Sequence, residues 1–224
     1  MEAVMKEQSF VRGYWPLWIV AGIIVVVGVF LGLAIIFSPG ARAAETEEAK
    51  PWWIEVQAVS RKQPARAIIW YERELTSTFG FFAFMWKESD RYRELLIGPT
   101  WKPLEDVQLG CGVGREYLPD EGGRGPRSTC FVEASRRKFS LAALFENGRA
   151  SGSWNKTTVT YTLSERFGMG LMHETDLGNG PRLEWNVRKD VQIWAALLRG
   201  NILNTDDIVV EKKLTALLAV NFSF

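Results

Sequence analysis

Short segments in which apolar and polar residues alternate recur from residue 52 to residue 224. Turn residues separate them about every 14 residues, and no segment in this range keeps a helical periodicity over a useful length. Most are close to the ~9–11 residues that a tilted strand needs to cross a bilayer. The alternation predicts twelve antiparallel strands: 52–60, 65–75, 77–87, 92–101, 104–117, 126–136, 138–147, 153–163, 166–175, 181–188, 191–199 and 212–224.

The predicted connections alternate between short and long ones. If the first strand starts on the periplasmic side, the connections on that side are Thr76, Lys102-Pro103, Arg137, Ser164-Glu165 and Lys189-Asp190. The opposite ends carry longer polar segments, among them LPDEGGRG and GNILNTDDIVVE. Short turns on one side and longer loops on the other are typical of outer-membrane barrels. An even number of strands also places the start of the first strand and the end of the last strand on the same side.

The two faces of the predicted strands differ in polarity. In RLEWNVR, Leu183, Trp185 and Val187 alternate with polar residues, whereas the third and eleventh strands are apolar on both faces. Alternation by itself fits a membrane barrel with its apolar face outward. It also fits a lipocalin-like barrel, tethered in the periplasm, with that face inward.

The last strand separates these alternatives. It reads KLTALLAVNFSF, and Leu218, Val220, Phe222 and Phe224 occupy alternating positions in it. This strand resembles the C-terminal signature of Gram-negative outer-membrane β-barrel proteins, which end in an aromatic residue after alternating apolar residues. The resemblance implies a transmembrane up-and-down β-barrel of about 12 strands in the bacterial outer membrane. It also implies that the barrel assembly machinery of the outer membrane recognises this strand.

Ten aromatic residues lie toward the ends of the predicted strands. They are Trp52, Trp53, Trp70, Tyr71, Trp86, Trp101, Tyr117, Trp154, Trp185 and Phe224. Such positions are typical of the aromatic girdles at both membrane interfaces. Aromatic residues in the core of a soluble protein are the alternative interpretation.

The N-terminal part of the chain predicts export. An apolar run without charges, residues 17–37, is long enough to span a bilayer as an uncleaved signal anchor. Ala41-Arg42-Ala43 follows it and fits the small residues of a signal-peptidase site. We therefore expect a cleaved signal peptide over residues 1–43, a linker over 44–51 and the barrel over 52–224.

Composition excludes several classes of function. The formal net charge is +1 and no basic stripe appears, so no nucleic-acid partner is expected. One His and two Cys give too few ligands for a multi-ligand zinc or haem site, and no metal or cofactor is predicted. The mean hydropathy of −0.06 excludes a polytopic helical protein but leaves a membrane β-barrel open.

The two cysteines lie on neighbouring predicted strands. Hairpin pairing about a loop centred near Asp120 and Glu121 places Cys111 opposite Cys130, both on the apolar face. Directly opposed strand residues can come within disulfide range, and an exported protein meets an oxidising compartment. A disulfide is therefore predicted, with two buried thiols as the alternative.

The predicted inward face supplies the candidate site. Its polar members are Glu133, Lys156, Thr158, Thr160, Arg182, Glu184, Asn186 and Arg188. Such a lining predicts a narrow passage for small hydrophilic solutes, while charges that pair across the lumen would instead plug a closed structural barrel. The strand 181–188 carries a net charge of +1, to which Lys156 adds another, so a weak preference for anions is expected.

A lipid hydrolase is a further alternative. Outer-membrane lipases and lipid A deacylases use a lipid-facing His with a Ser two residues on, and HET places His173 and Thr175 similarly. Here Thr replaces Ser, and the sequence shows no acidic partner on that face. We therefore expect a protein without enzyme activity, whose partners are the lipid bilayer, the assembly machinery and a small hydrophilic solute.

Overall fold

The computed structural model describes residues 50–60, 65–88, 92–119, 123–203 and 209–224. The predicted signal peptide and most of the predicted linker lie outside these residues. The strands are β1 (Trp52–Val59), β2 (Arg66–Glu74), β3 (Phe79–Glu88), β4 (Tyr92–Leu104), β5 (Val107–Leu118), β6 (Gly123–Arg136), β7 (Phe139–Gly148), β8 (Gly152–Thr162), β9 (Phe167–Glu174), β10 (Gly178–Arg188), β11 (Val191–Leu203) and β12 (Val209–Ser223). The described residues contain no helix that is long and apolar enough to cross a membrane.

The strands form a closed antiparallel barrel. Each strand pairs with its neighbours in sequence, and β12 pairs with β1 from Trp53 opposite Ser223 to Val59 opposite Leu217. Beyond this ladder, the backbone N–H of Phe224 donates to the carbonyl oxygen of Trp52 at 3.0 Å. The backbone groups of β1 and β12 thus satisfy each other, as a barrel in hydrocarbon requires. The predicted twelve-stranded up-and-down barrel is confirmed.

The two ends of the barrel carry different connections. We call the end that holds Trp52 and Phe224 the terminal rim and the opposite end the loop rim. Connections of two to four residues lie at the terminal rim, and connections of three to six residues lie at the loop rim. The difference is smaller than the sequence suggested, because strands extend further toward the loop rim than expected. For example, β6 begins at Gly123 and β10 at Gly178.

One predicted turn is wrong. The sequence placed it at Lys102-Pro103, but β4 continues to Leu104 and the turn is formed by residues 105–106. The β4–β5 ladder shifts register between Trp101 and Leu104. A bulge of this kind accommodates Pro103, which has no N–H to donate to a ladder, without ending the strand.

The outer surface of the barrel is apolar. Val113 is 67% exposed and Leu171 is 66% exposed, and many of their outward-facing neighbours are large and aliphatic. Acidic residues are absent from this surface in the described strands. In the strands, every glutamate with a described side chain occupies an inward-facing position. A soluble lipocalin-like barrel would bury the apolar face, so this distribution favours a barrel surrounded by lipid.

An aromatic girdle surrounds the terminal rim. Its outward-facing members are Trp52, Tyr71, Phe79, Trp101, Phe139, Tyr161, Phe167, Trp185 and Phe224. Neighbouring strands contribute contacting rings, with centroids 4.5 Å apart for Trp52 and Tyr71.

The sequence wrongly assigned four tryptophans to the girdles. Trp53, Trp70, Trp86 and Trp154 instead line the barrel interior. Each differs by one position from an outward-facing neighbour, and one position is enough to reverse the face of a strand residue.

We predict that replacing Phe224 with Asp, or deleting it, blocks assembly of the barrel. Phe224 lies at the seam where β12 meets β1, and a carboxylate there would put a charge on the outward face among girdle aromatics. The measurement is the level of heat-modifiable, folded protein in the outer-membrane fraction. Phe224→Tyr keeps an aromatic ring and serves as the matched control. Normal levels of folded Phe224→Asp protein would contradict the role of this strand in assembly.

Candidate functional site

The barrel interior contains a cavity of about 520 Å³. It extends from Lys50 and Ser223 at the terminal rim to Trp86 and Trp154 deeper in the lumen. Six of the eight side chains predicted to line a pore do line this cavity: Glu133, Lys156, Thr158, Thr160, Arg182 and Glu184. Alternation along β6, β8 and β10 was therefore enough to locate them.

The other two predicted lining residues lie outside the cavity. The side chain of Arg188 is 71% exposed and its Nε lies 3.1 Å from Asp190 in the adjoining turn. Asn186 donates from Nδ2 to the carbonyl oxygen of Glu165 at 3.1 Å, also at the terminal rim. The β10–β11 ladder shifts register between Asn186 and Arg188, so the simple alternation that the sequence suggested ends before Arg188.

Glu55 lies at the centre of the cavity, and the sequence analysis did not include it among the lining residues. Its side chain is 2% exposed, accepts a hydrogen bond from Trp194 Nε1 at 2.7 Å, and lies 3.4 Å from Lys156 Nζ. Because Glu55 lies on β1 and Lys156 on β8, this ion pair crosses the lumen. The alternation of Glu55 and Gln57 with apolar residues in WWIEVQAV is the signal that could have found it.

A second ion pair lies next to the first, and both pairs contact Trp194 on β11. Arg182 Nε donates to Glu184 Oε1 at 2.8 Å, and Thr160 Oγ1 donates to the same oxygen at 3.2 Å. The guanidinium of Arg182 also lies 4.1 Å from the centroid of the Trp194 ring. Paired and hydrogen-bonded charges of this kind can remain ionised inside a protein.

The opposite side of the lumen is filled by aromatic rings. Trp70 contacts Phe82 and Phe131, with ring centroids 5.0 Å apart in both cases. These rings pack against the inward-facing glycines of β5: a Cβ on Gly112 would lie 2.7 Å from Phe82, and one on Gly110 would overlap Phe131. The GCGVG segment is therefore a flat wall that leaves room for the rings.

Two contacts cross the lumen between the cavity and the loop rim. Arg66 on β2 forms an ion pair with Glu174 on β9, and its Nε lies 2.8 Å from Glu88. Trp86 on β3 meets Trp154 on β8 edge to face, with centroids 4.8 Å apart. The joined strands lie on opposite sides of the ring of twelve. These contacts narrow the lumen toward the loop rim.

A cluster of three carboxylates around one arginine lies near the loop rim. Arg127 is within 2.5 Å of Glu94, 3.1 Å of Glu116 and 2.5 Å of Glu146, and none of these four side chains is more than 3% exposed. Glu116 also accepts from the backbone N–H of Ala150 at 2.6 Å. The cluster thus holds the β7–β8 connection and carries a formal charge of −2.

The lumen as a whole has more acidic than basic groups. The cavity is lined by three cations and four carboxylates: Lys50, Lys156, Arg182, Glu55, Glu72, Glu133 and Glu184. Arg66 is shared by two carboxylates, and Arg127 by three. No group of three or more His, Cys, Asp or Glu side chains in the described residues is arranged to hold a metal ion.

The two cysteines are joined on the outward face. Cys111 on β5 lies directly opposite Cys130 on β6, and the structure connects them by a disulfide. The bridge ties together two strands that already pair over their whole length. It therefore reinforces the β5–β6 hairpin rather than creating a new connection.

His173 faces outward near the loop rim and has a partner that the sequence analysis missed. Its Nδ1 lies 2.8 Å from Oδ1 of Asn179, which is the directly opposed residue on β10. Thr175, two residues after His173, is hydrogen-bonded to the backbone of Asn155: its hydroxyl accepts from the N–H at 2.9 Å and donates to the carbonyl oxygen at 3.3 Å. The sequence could have indicated this partner, because Asn179 lies opposite His173 across a short predicted hairpin.

Closure into twelve antiparallel strands, an apolar outer surface, an aromatic girdle and a polar lumen together define the fold of a Gram-negative outer-membrane β-barrel protein. Among solved structures, the KdgM porin in complex with disordered oligogalacturonate is similar to this chain with a TM-score of 0.51 and 11% identity, over 77% of this chain and 99% of that chain. The NanC porin gives a TM-score of 0.49 and 9% identity, over 77% and 100% of the two chains. Outer-membrane phospholipase A from Escherichia coli gives 0.49 and 8%, over 82% and 94%. No protein-family model and no curated protein matches the sequence. At 11% identity, the likeness to the KdgM porin shows the fold alone.

We predict that Arg127→Gln strongly destabilises the barrel. The substitution leaves three buried carboxylates without their cation, and breaking a buried ion pair in this way typically costs about 3–5 kcal/mol. The measurement is the urea midpoint of the refolded protein in detergent. Arg124→Gln removes an exposed arginine from the same strand and should leave the midpoint unchanged. Equal midpoints for the two variants would contradict a structural role for the cluster.

Proposed function

We propose that the protein is a narrow channel of the bacterial outer membrane for small hydrophilic solutes. The observation that carries this proposal is the cavity of about 520 Å³, which is lined by charged and hydroxyl side chains inside a closed barrel. Lumen residues of this kind set the selectivity of membrane barrels. The Arg66–Glu174 and Trp86–Trp154 contacts are the constriction of the channel.

We further propose that the channel prefers cations weakly. This replaces the preference for anions expected from the sequence, for two reasons. Arg188 lies outside the cavity, and Lys156 is paired with Glu55. The formal charge of the lining is negative once Glu72 and Glu133 are included, and fixed negative charge raises the local concentration of cations.

The constriction predicts that Arg66→Ala increases conductance. Removing the long side chain breaks the contact across the lumen, so the single-channel conductance in planar bilayers should rise by about twofold or more. Arg73→Ala, an exposed and outward-facing arginine of the same strand, is the matched control and should leave conductance unchanged. If neither the wild type nor Arg66→Ala conducts ions, the barrel is a closed structural one and the channel proposal is wrong.

The charge of the lining predicts the selectivity. In a gradient of potassium chloride, the reversal potential of the wild type should show a preference for potassium, which weakens at high salt as the charges are screened. Glu72→Gln together with Glu133→Gln should reduce this preference. Arg188→Glu should leave it unchanged, because its side chain lies outside the cavity. A preference of the wild type for chloride would contradict the proposed selectivity.

We propose lipid hydrolysis as a second candidate function, and the His173–Asn179 hydrogen bond favours it. An imidazole that donates from Nδ1 to an amide oxygen presents Nε2 as a general base, and Asn takes this orienting role in some hydrolases. The Thr175 hydroxyl would then attack an ester carbonyl while its proton passes to His173 Nε2. The leaving alcohol takes that proton, and water hydrolyses the acyl ester. Thr175 must first leave its hydrogen bonds with Asn155.

This second proposal predicts release of fatty acid from phospholipid micelles by the purified protein. Thr175→Ser should raise the rate, because a primary hydroxyl is a less hindered nucleophile, and His173→Ala should abolish it. Thr157→Ala removes another hydroxyl, on the residue opposite His173 in β8, and is the matched control. No fatty-acid release by the wild type or by Thr175→Ser would exclude the hydrolase.

A further inference from the structure

Four cationic side chains face outward near the loop rim on four consecutive strands. They are Lys87 on β3, Arg93 on β4, Arg115 on β5 and Arg124 on β6, and all four are exposed. Each strand places its acidic residues on the other face, where Glu88, Glu94, Glu116 and Glu133 lie inside the barrel. In the described strand residues, the outer face of β3 to β6 therefore carries positive charges and no negative ones.

The strand register brings these cations together. Lys87 lies directly opposite Arg93 in the β3–β4 ladder. Tyr117 lies opposite Arg93 on one side and opposite Arg124 on the other, and the Arg124 guanidinium is 4.8 Å from its ring centroid. Directly opposed like charges destabilise a sheet. The pairing of Lys87 with Arg93 therefore has a cost that an anionic ligand would offset.

No described residue supplies that anion. Within the described residues, no ion pair reaches Lys87, Arg93, Arg115 or Arg124. Cations on the outer face of a barrel are tolerated only near the membrane interface, where polar headgroups and water begin. An anion that balances these cations would therefore come from outside the described strands.

A groove on the outer surface connects these cations with apolar side chains. It has a volume of about 800 Å³, and Met85, Leu95 and Pro126 line it together with the four cations. Glu94 and Glu116 also border it, but their side chains are buried in ion pairs with Arg127. Leu95 and Pro126 are the residues directly opposite Arg115 on its two sides. Lys87, Arg93 and Arg124 lie in the row nearer the loop rim. Arg115 lies in the next row toward the middle of the barrel, between Leu95 and Pro126. The groove therefore offers three cations at its loop-rim end and a fourth cation beside apolar side chains, which suits a lipid with phosphate groups and acyl chains.

We propose that this cationic groove binds a phosphorylated lipid of the leaflet at the loop rim. Its phosphates lie among Lys87, Arg93, Arg115 and Arg124, and its acyl chains lie against Met85 and Leu95. Arginine suits this role because its planar fork donates two hydrogen bonds to one phosphate. The inference rests on the membrane location in the proposed function, but neither on ion conductance nor on hydrolysis.

The test measures binding of bisphosphorylated lipid A to the purified, folded barrel in a neutral detergent by native mass spectrometry. The wild type should retain the lipid, and Arg93→Gln together with Arg115→Gln should weaken binding by about tenfold or more, because two charge-assisted phosphate contacts are lost. Arg73→Gln together with Arg199→Gln is the matched control. It removes two exposed, outward-facing arginines outside the groove and should leave binding unchanged.

Two further measurements distinguish recognition of the whole lipid from recognition of phosphate alone. Fully dephosphorylated lipid A should bind the wild type no better than it binds the Arg93, Arg115 double variant. Inorganic phosphate should not displace the intact lipid, since the acyl chains add apolar contact. Displacement by phosphate alone would mean that the groove recognises only the anion, and would overturn the proposal.

Equal retention of lipid A by the wild type and the groove variant would also overturn it. Heat-modifiable gel mobility confirms that each variant is folded before binding is compared. Conductance provides the distinction from the channel proposal. If the groove variant loses lipid binding but keeps its conductance, the groove acts independently of the channel. If the wild type binds lipid A but does not conduct ions, the channel proposal is wrong and the groove proposal stands.

Discussion

The ladder between β1 and β12 is the constraint on which the rest of the structure depends. Lipid offers no hydrogen-bond partners, so an open edge would leave the backbone groups of both strands unsatisfied. Closing the ladder down to the Trp52–Phe224 pair removes that edge. Closure also gives every strand an inside and an outside, and alternation then decides which side chains share the lumen and which meet lipid.

Closure of the barrel creates a lumen whose two sides differ in chemistry. Aromatic rings packed on the glycines of β5 fill one side, and ion pairs occupy the other. This explains why the third predicted strand is apolar on both faces: its inward residues Phe82, Phe84 and Trp86 belong to the aromatic side. The rings narrow the passage, and the ion pairs give the remaining space its polarity. Both features underlie the proposal of a narrow channel with a weak preference for cations.

The outer surface is equally asymmetric, but along the barrel axis. The terminal rim carries the aromatic girdle, whereas the loop rim carries the cationic groove on β3–β6 and the His173–Asn179 pair on β9 and β10. Both loop-rim features face outward, at the height where lipid headgroups would lie. The two proposals for them, binding of a phosphorylated lipid and hydrolysis of an ester, involve different strands and can be tested separately.

The sequence alone determined the features that depend on local register. Period-two alternation and the aromatic last strand predicted the barrel, and hairpin symmetry placed Cys111 opposite Cys130, because neighbouring strands are aligned by the turn between them. Only the tertiary structure decided the contacts across the lumen. Glu55 meets Lys156, and Arg66 meets Glu174, at sequence separations of 101 and 108. No local pattern specifies such partners, because they depend on how far the strands are staggered when the barrel closes.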